Sequence, residues 1–158
     1  MTSIYTKYAV AIVLRNGHSP DDFLVIKRPN TDAELGGCWG FPAVVLTEHE
    51  SPEEGARRVC KEKLDCEGEP IRFLGAMHQE RDGYNLLLME IEVILVNGSY
   101  PDVLQATTDG TKYVDQKWTK DPEVVRAAAR SGSCCSNIFL SHVKTLNRKE
   151  WPLTLQKT

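Results

Sequence analysis

The chain has 158 residues, a length that predicts one compact domain, which we expect to span residues 1–158. Hydrophobic residues make up 41% of the chain and charged residues 26%, as in soluble globular proteins. The formal net charge of −3 argues against a general affinity for nucleic acid or for anionic membranes.

The cysteines and the apolar runs indicate the compartment. Five cysteines are present, an odd number, with no C-x-x-C pair and no histidine at the spacing of a zinc site. The first residues lack the pattern of a secretory signal, and the apolar runs fall well short of the ~20 residues that cross a bilayer. We therefore expect a cytoplasmic protein with reduced thiols.

The predicted elements are mostly strands, defined by β-branched and aromatic runs between turn residues. Two segments, Leu35–Pro42 and Asn97–Gly110, are predicted to be loops, and Trp151–Thr158 a docked or frayed tail. The predicted order is strands at Tyr8–Leu14, Phe23–Ile26 and Val44–Leu46, a helix at Ser51–Leu64, strands at Ile71–His78, Leu86–Val96 and Lys112–Trp118, and helices at Pro122–Arg130 and Cys135–Leu146. This order predicts a mixed sheet flanked by helices, with the first two strands paired.

The helix that starts at Ser51 has the strongest sequence signals. Ser51 is a suitable N-cap, Pro52 follows at the first helical position, and Glu53 and Glu54 lie at the positive end of the helix dipole. Glu54 also stands three residues after Ser51, as in a capping box.

Around this helix the sequence resembles the Nudix (MutT-like) box. The segment Trp39-Gly40-Phe41-Pro42, Glu50 and Arg58 match the family pattern, and the box extends without a gap from Val44 to Cys66. The resemblance implies an α/β fold, an α/β/α sandwich with a mixed β-sheet. It also implies that Glu50 and Arg58 pair, and that the reaction is Mg²⁺- or Mn²⁺-dependent hydrolysis of a nucleoside diphosphate linked to another moiety.

The metal-binding part of this box is degenerate. Three glutamates of the family box share one helix face and bind Mg²⁺, which binds a diphosphate and activates water. Their places are taken here by Val59, Glu62 and Lys63. Valine cannot ligate a metal ion, and an ammonium group repels one. By resemblance, Arg58 and Glu62 are the candidate catalytic residues, and Glu62 is the first candidate metal ligand.

Several other side chains, some within the box and some beyond it, are candidates for substitute metal ligands. Glu80, near the turn at Arg81-Asp82-Gly83, is the one that we retain, although a solvated surface charge is the simpler interpretation. The others are Glu48, His49, Glu90 and Glu92.

The candidate substrate-binding residues are Arg28, Lys63 and Phe41. Arg28 ends a strand and can hold a phosphate with its fork of donors. Lys63 can replace the metal with a fixed positive charge, and Phe41 can stack on a base. The alternatives are a plain strand-end charge, a surface salt bridge and a core residue, respectively.

Two functions from different classes follow. The first is a Nudix-type hydrolase with a degenerate or rearranged metal site. The second is an inactive module that binds a nucleotide-like ligand or a protein partner, and Val59 and Lys63 favour it. A different reaction on the same scaffold is a third hypothesis, since a fold does not determine chemistry. The strand predicted at Leu86–Val96 would also allow a homodimer.

Overall fold

The computed structural model describes residues 5–32, 35–107 and 112–144. Within them, seven strands form one sheet: β1 (Tyr5–Arg15), β2 (Phe23–Lys27), β3 (Trp39–Gly40), β4 (Ala43–Val45), β5 (Gly68–Arg81), β6 (Tyr84–Leu95) and β7 (Asp115–Thr119). The helices are α1 (Pro52–Leu64), α2 (Arg126–Arg130) and α3 (residues 134–144), with short 3-10 helices at Val103–Gln105 and Pro122–Val125.

The sheet is mixed, as predicted. Its main order is β3-β2-β1-β6-β5, with β4 paired to β1 and β7 paired to β2. β1 runs parallel to β6 from Tyr5↔Tyr84 to Arg15↔Ile94, whereas β5 and β6 form an antiparallel hairpin. The predicted pairing of the first two strands is confirmed, because β2 runs antiparallel to β1 from Arg15↔Phe23.

Strand alternation gives each face of the sheet its own core. On one face, Val10 and Ile12 of β1 pack in a cluster with Val59 and Leu64 of α1. On the other face, neighbouring β1 residues such as Ala11 pack in a second cluster with α3. The predicted α/β/α sandwich is therefore confirmed.

α1 begins and ends as its sequence indicates. The N-cap Ser51 Oγ accepts a hydrogen bond from the Glu54 amide at 3.1 Å, and Pro52 occupies the first turn. At the other end Asp65 adopts a left-handed conformation with φ of 48°. The chain therefore turns back immediately after Leu64.

Several predicted boundaries were wrong. The segment predicted as a loop at Leu35–Pro42 contains β3, which is too short to show an alternating pattern. The predicted helix at Pro122–Arg130 starts as a 3-10 turn, where Asp121 Oδ1 accepts from the Glu123 amide. The last strand begins at Asp115 instead of Lys112. The tail at Trp151–Thr158 lies outside the described residues, as do parts of Asn97–Gly110 and Cys135–Leu146.

The position of β6 bears on the predicted homodimer. β6 lies between β1 and β5, so both of its edges are already hydrogen-bonded and cannot pair with a second copy. Among the described residues, no helix combines the length and the apolar character needed to cross a membrane.

Candidate functional site

Arg58 connects α1 to the loop that precedes it. Its Nε and Nη2 donate to the two carboxylate oxygens of Glu50 at 2.8 and 2.9 Å, and Nη2 also donates to the Val45 carbonyl at 2.7 Å. This bidentate hydrogen bond, opposed by burial, lowers the pKa of Glu50, while the same contact raises the pKa of Arg58. The pairing of Glu50 with Arg58 that the family resemblance implies is thus present in the structure.

The same arginine also holds Glu62. Arg58 Nη1 donates to Glu62 Oε2 at 3.1 Å, one helical turn away, and the Glu62 side chain keeps 31% of its surface exposed. The remaining box carboxylate is therefore engaged with a cation of its own helix. This ion pair competes with any metal ion for the same oxygens.

Val59 and Lys63 occupy the two other box positions. Val59 is 0% exposed and belongs to the apolar cluster beneath α1. Lys63 is only 6% exposed, and burial lowers the pKa of its ammonium group. The nearby Arg28 and Arg58 lower it further, whereas Glu62 opposes them. The surface position that we considered for Lys63 is wrong, because the side chain is buried.

Tyr113 brings Lys63 and Arg28 together. The Lys63 Nζ lies 5.7 Å from the centroid of the Tyr113 ring, and the Arg28 Cζ lies 6.0 Å from the same centroid. Tyr113 is 4% exposed, its hydroxyl accepts from the Ala43 amide at 3.3 Å, and burial raises its pKa to about 12. Arg28 also donates to Asp32 at 3.1 Å. A neutral phenol ring therefore lies about 6 Å from two cationic side chains.

The residues at α1 do not fit a divalent metal ion. Of the three box positions only Glu62 has a carboxylate, Arg58 already binds that carboxylate, and Lys63 places an ammonium group where the family has an oxygen ligand. Across the part of the chain that the structure describes, no three His, Cys, Asp or Glu side chains form a group that could hold a metal ion.

The substitute ligands considered from the sequence lie elsewhere. Glu80 lines an open cavity with Gln79, Arg81 and the turn at residues 131–133, away from α1. Glu90 and Glu92 alternate with Ile91 and Val93, so they face α3 and not α1. Glu48 and His49 are solvent-exposed and contact each other at 4.0 Å. None of these side chains supplements Glu62, which corrects the expectation for Glu80.

Phe41 also needs a correction. Its side chain is 1% exposed and packs against Phe23 and Phe139, with ring centroids 6.1 and 4.9 Å away. A ring enclosed in this way cannot stack on a ligand base without opening the core. Phe41 therefore belongs to the packing of α3 on the sheet, and of the three candidate substrate contacts Arg28 and Lys63 remain.

Comparison with known proteins agrees with this architecture. The NUDIX domain family matches residues 5–128, more than three quarters of the chain. The chain belongs to the Nudix family. No curated protein matches it at a significant level. Nudix hydrolases generally use divalent metal ions and act on nucleoside diphosphate substrates, so the substitutions at Val59 and Lys63 are departures from the family pattern.

Solved structures of Nudix proteins share the fold. A MutT protein from Methanosarcina mazei is 15% identical, with 95% of this chain and 99% of that chain covered and a TM-score of 0.63. A Nudix hydrolase from Nitrosomonas europaea is 16% identical, with 89% of each chain covered and a TM-score of 0.67. A MutT Nudix hydrolase from Burkholderia pseudomallei is 18% identical, with 81% of this chain and 98% of that chain covered and a TM-score of 0.58.

Sequence analysis overlooked Tyr113. It lies just before β7, and the Val114 amide donates to the Lys27 carbonyl at 2.9 Å, which holds this segment against the end of β2. No motif in the sequence marks Tyr113, because its role depends on the pairing of β7 with a strand about 90 residues earlier.

Proposed function

We propose that this Nudix protein binds the diphosphate of a nucleotide-like ligand directly on cationic side chains, with no requirement for a divalent metal ion. The observation that supports this proposal is the placement of Lys63. It takes the position of a family glutamate, is almost completely buried, and shares the Tyr113 ring with Arg28.

The charges around α1 favour an anion. Arg58 is balanced by Glu50 and Glu62, and Arg28 by Asp32. Burial lowers the pKa of Lys63, and the nearby Arg28 and Arg58 add to this effect while Glu62 opposes it. A phosphate group beside Lys63 would supply the negative charge that favours the protonated amine.

Each residue has a separate part in the proposed binding. Arg28 presents a planar fork that matches two phosphate oxygens, and Lys63 acts as a point charge on the neighbouring phosphate. Tyr113 contacts both cations through its buried ring. The carboxylate of Glu62 is paired with Arg58, so its negative charge repels the phosphate oxygens less. This arrangement binds and orients a diphosphate, and it suits a phosphorylated small molecule better than an apolar protein surface.

Hydrolysis of the same class of ligand is the second candidate. It is favoured by the intact Glu50–Arg58 pair and by the partial exposure of Glu62, since both belong to the machinery that the family box implies. Turnover would require Glu62 to leave Arg58, so it predicts that Glu62→Gln abolishes product formation.

A calorimetric titration in EDTA separates these functions. Sugar-nucleotide and dinucleoside diphosphates are titrated into the full chain, with pyrophosphate as the minimal probe, and the mixtures are then analysed for cleavage products. We expect binding in EDTA without cleavage. Binding that appears only with Mg²⁺ or Mn²⁺, or cleavage that depends on Glu62, would overturn the proposal.

Lys63→Met tests the residue that carries the proposal, and Lys61→Met is the matched control, because Lys61 is an exposed lysine of the same helix. Loss of a charged hydrogen bond worth about 1.5–3 kcal/mol weakens binding roughly 10- to 100-fold. We expect this loss for Lys63→Met and an unchanged affinity for Lys61→Met. Equal affinities of the two variants would contradict the assignment of Lys63.

A further inference from the structure

Two cysteines meet where α1 ends. The Cys60 carbonyl accepts hydrogen bonds from the amides of both Asp65 and Cys66, the latter at 3.0 Å. The left-handed Asp65 turns the chain back, so that the Cys66 side chain returns to Cys60. The neighbouring Cys66 thiol and burial raise the pKa of Cys60, and both cysteines belong to the cluster beneath α1.

The two sulfur atoms differ in access. Cys60 is 0% exposed, and the backbone at Gly68 passes so close that a β-carbon there would lie 2.9 Å from the Cys60 Sγ. Cys66 is 7% exposed and lines a surface groove of about 650 Å³, whose other charged residues are Arg57, Lys61, Asp65, Glu67 and Glu69. A small oxidant can therefore reach Cys66 from the groove, while Cys60 lies behind it.

We propose that Cys60 and Cys66 form an oxidation site, in which a hydroperoxide converts the two thiols into a disulfide. The disulfide would cross-link a short segment of the chain that contains Glu62 and Lys63. This proposal is independent of ligand binding by Glu62 and Lys63, because the disulfide can be measured without any ligand.

The chemistry needs one peroxide for each bridge. The Cys66 sulfur attacks a peroxide oxygen and breaks the O–O bond, giving a sulfenic acid on Cys66 and one water. The Cys60 sulfur then attacks the Cys66 sulfur, forms the S–S bond and displaces the second water. Two thiols lose two protons and two electrons, and hydrogen peroxide is reduced to two waters.

The other thiols are placed differently. Cys134 and Cys135 are buried in the opposite core under α3, and Cys38 lies in the partly exposed segment before β3. Burial raises the pKa of both Cys134 and Cys135, the latter to about 11, as it does for Cys60, so the proposed pair is distinguished by the access of Cys66 to the surface groove and not by the thiol pKa. Cys38 is accessible and therefore serves as an internal reference for oxidation at an isolated thiol.

The test is peroxide treatment of the reduced full chain at low protein concentration, in a Cys38→Ser background as well as in the native sequence. Trypsin cleaves after Arg58, Lys61 and Lys63, so Cys60 and Cys66 leave in separate peptides, residues 59–61 and 64–72. We expect these peptides to be disulfide-linked, with free thiols falling from four to two both in the Cys38→Ser variant and in the native chain with Cys38 blocked.

Two controls keep the result specific. Cys66→Ser should abolish the linked peptide and leave Cys60 as a free thiol. Oxidation of the chain unfolded in urea should scatter the linkages among all cysteines, whereas the folded chain forms the single pair. Recovery of Cys66 as a sulfinic acid, as a free thiol under conditions that oxidise Cys38, or linked to Cys38 would overturn the proposal.

Discussion

Glu90 is a carboxyl group in an apolar core. It lies on β6 between Ala11 of β1 and Gly75 of β5, and it is 0% exposed. Neither of its side-chain oxygens has a hydrogen-bond partner within the described structure. Burial raises its pKa well above 4.5, and Cys135, the nearby titratable group on α3, is held neutral by the same burial. Folding therefore favours the protonated, neutral form of Glu90.

The raised pKa predicts a pH dependence of stability. Between about pH 4.5 and the raised value, the unfolded chain releases the Glu90 proton and the folded chain keeps it. Stability is therefore greatest at low pH and falls as pH rises, by at most about 1.4 kcal/mol per pH unit from this group. Urea unfolding from pH 4.5 to 8 should show Glu90→Gln gaining stability relative to the native chain. Parallel pH profiles of the two proteins would disprove this.

Glu90→Met removes the unsatisfied oxygens at nearly constant volume. Each buried polar group without a partner costs about 1–3 kcal/mol, so we expect this variant to have a higher free energy of unfolding at pH 7. Denaturant melts measure the change, and Glu80→Met on the exposed surface of β5 is the control. A less stable Glu90→Met would show that the carboxyl group has a partner in the folded protein.

At the scale of elements, Arg58 fastens α1 to the loop that ends at Glu50. The Arg58 and Glu50 side chains are 27% and 11% exposed, whereas the neighbouring Arg57–Glu69 pair is exposed on both sides. Arg58→Met should cost about 2–3 kcal/mol in urea unfolding, because it leaves Glu50 without its charged partner. Arg57→Met should cost less than about 1 kcal/mol. Similar losses of unfolding free energy in the two variants would contradict the role of Arg58 in holding α1 to this loop.

The N-cap of α1 gives a second prediction at this scale. Ser51 Oγ satisfies the Glu54 amide, one of the donors that a helix start leaves open. Ser51→Ala should lower the free energy of unfolding by about 0.5–2 kcal/mol, and Ser51→Asp should retain most of it. Thermal or urea unfolding measures both changes. An alanine variant as stable as the native chain would mean that water replaces the cap at no cost.

Features formed by residues that are close in sequence could be predicted, whereas features that depend on residues far apart could not. The cap, the proline start and the Glu50–Arg58 pair of α1 lie within a few residues of one another, and all three could be predicted. The parallel pairing of β1 with β6 joins segments about 80 residues apart, and no local pattern encodes it. The burial of Lys63 and Phe41 has the same origin, because each is enclosed by residues that are distant in sequence.

At the scale of the whole molecule, the chain keeps the Nudix fold but not the carboxylates of the family metal site. Both cores are formed, and the Arg58–Glu50 pair is present. The face of α1 that carries three glutamates in the family box carries Val59, an ion-paired Glu62 and a buried Lys63 here. At the last of these three positions, Lys63 replaces the glutamate of the family box, so a positive charge stands where the family has a negative one. A diphosphate and a divalent cation need opposite charges there, and on this ground we propose that the scaffold binds the anion directly.

A Mn²⁺ titration of the full chain tests this central claim most directly. Calorimetry is performed on the native protein and on Glu62→Gln, first alone and then with pyrophosphate present. The account predicts no binding heat that depends on Glu62 and an unchanged pyrophosphate affinity when EDTA replaces Mn²⁺. Stoichiometric Mn²⁺ binding that disappears in Glu62→Gln would contradict it.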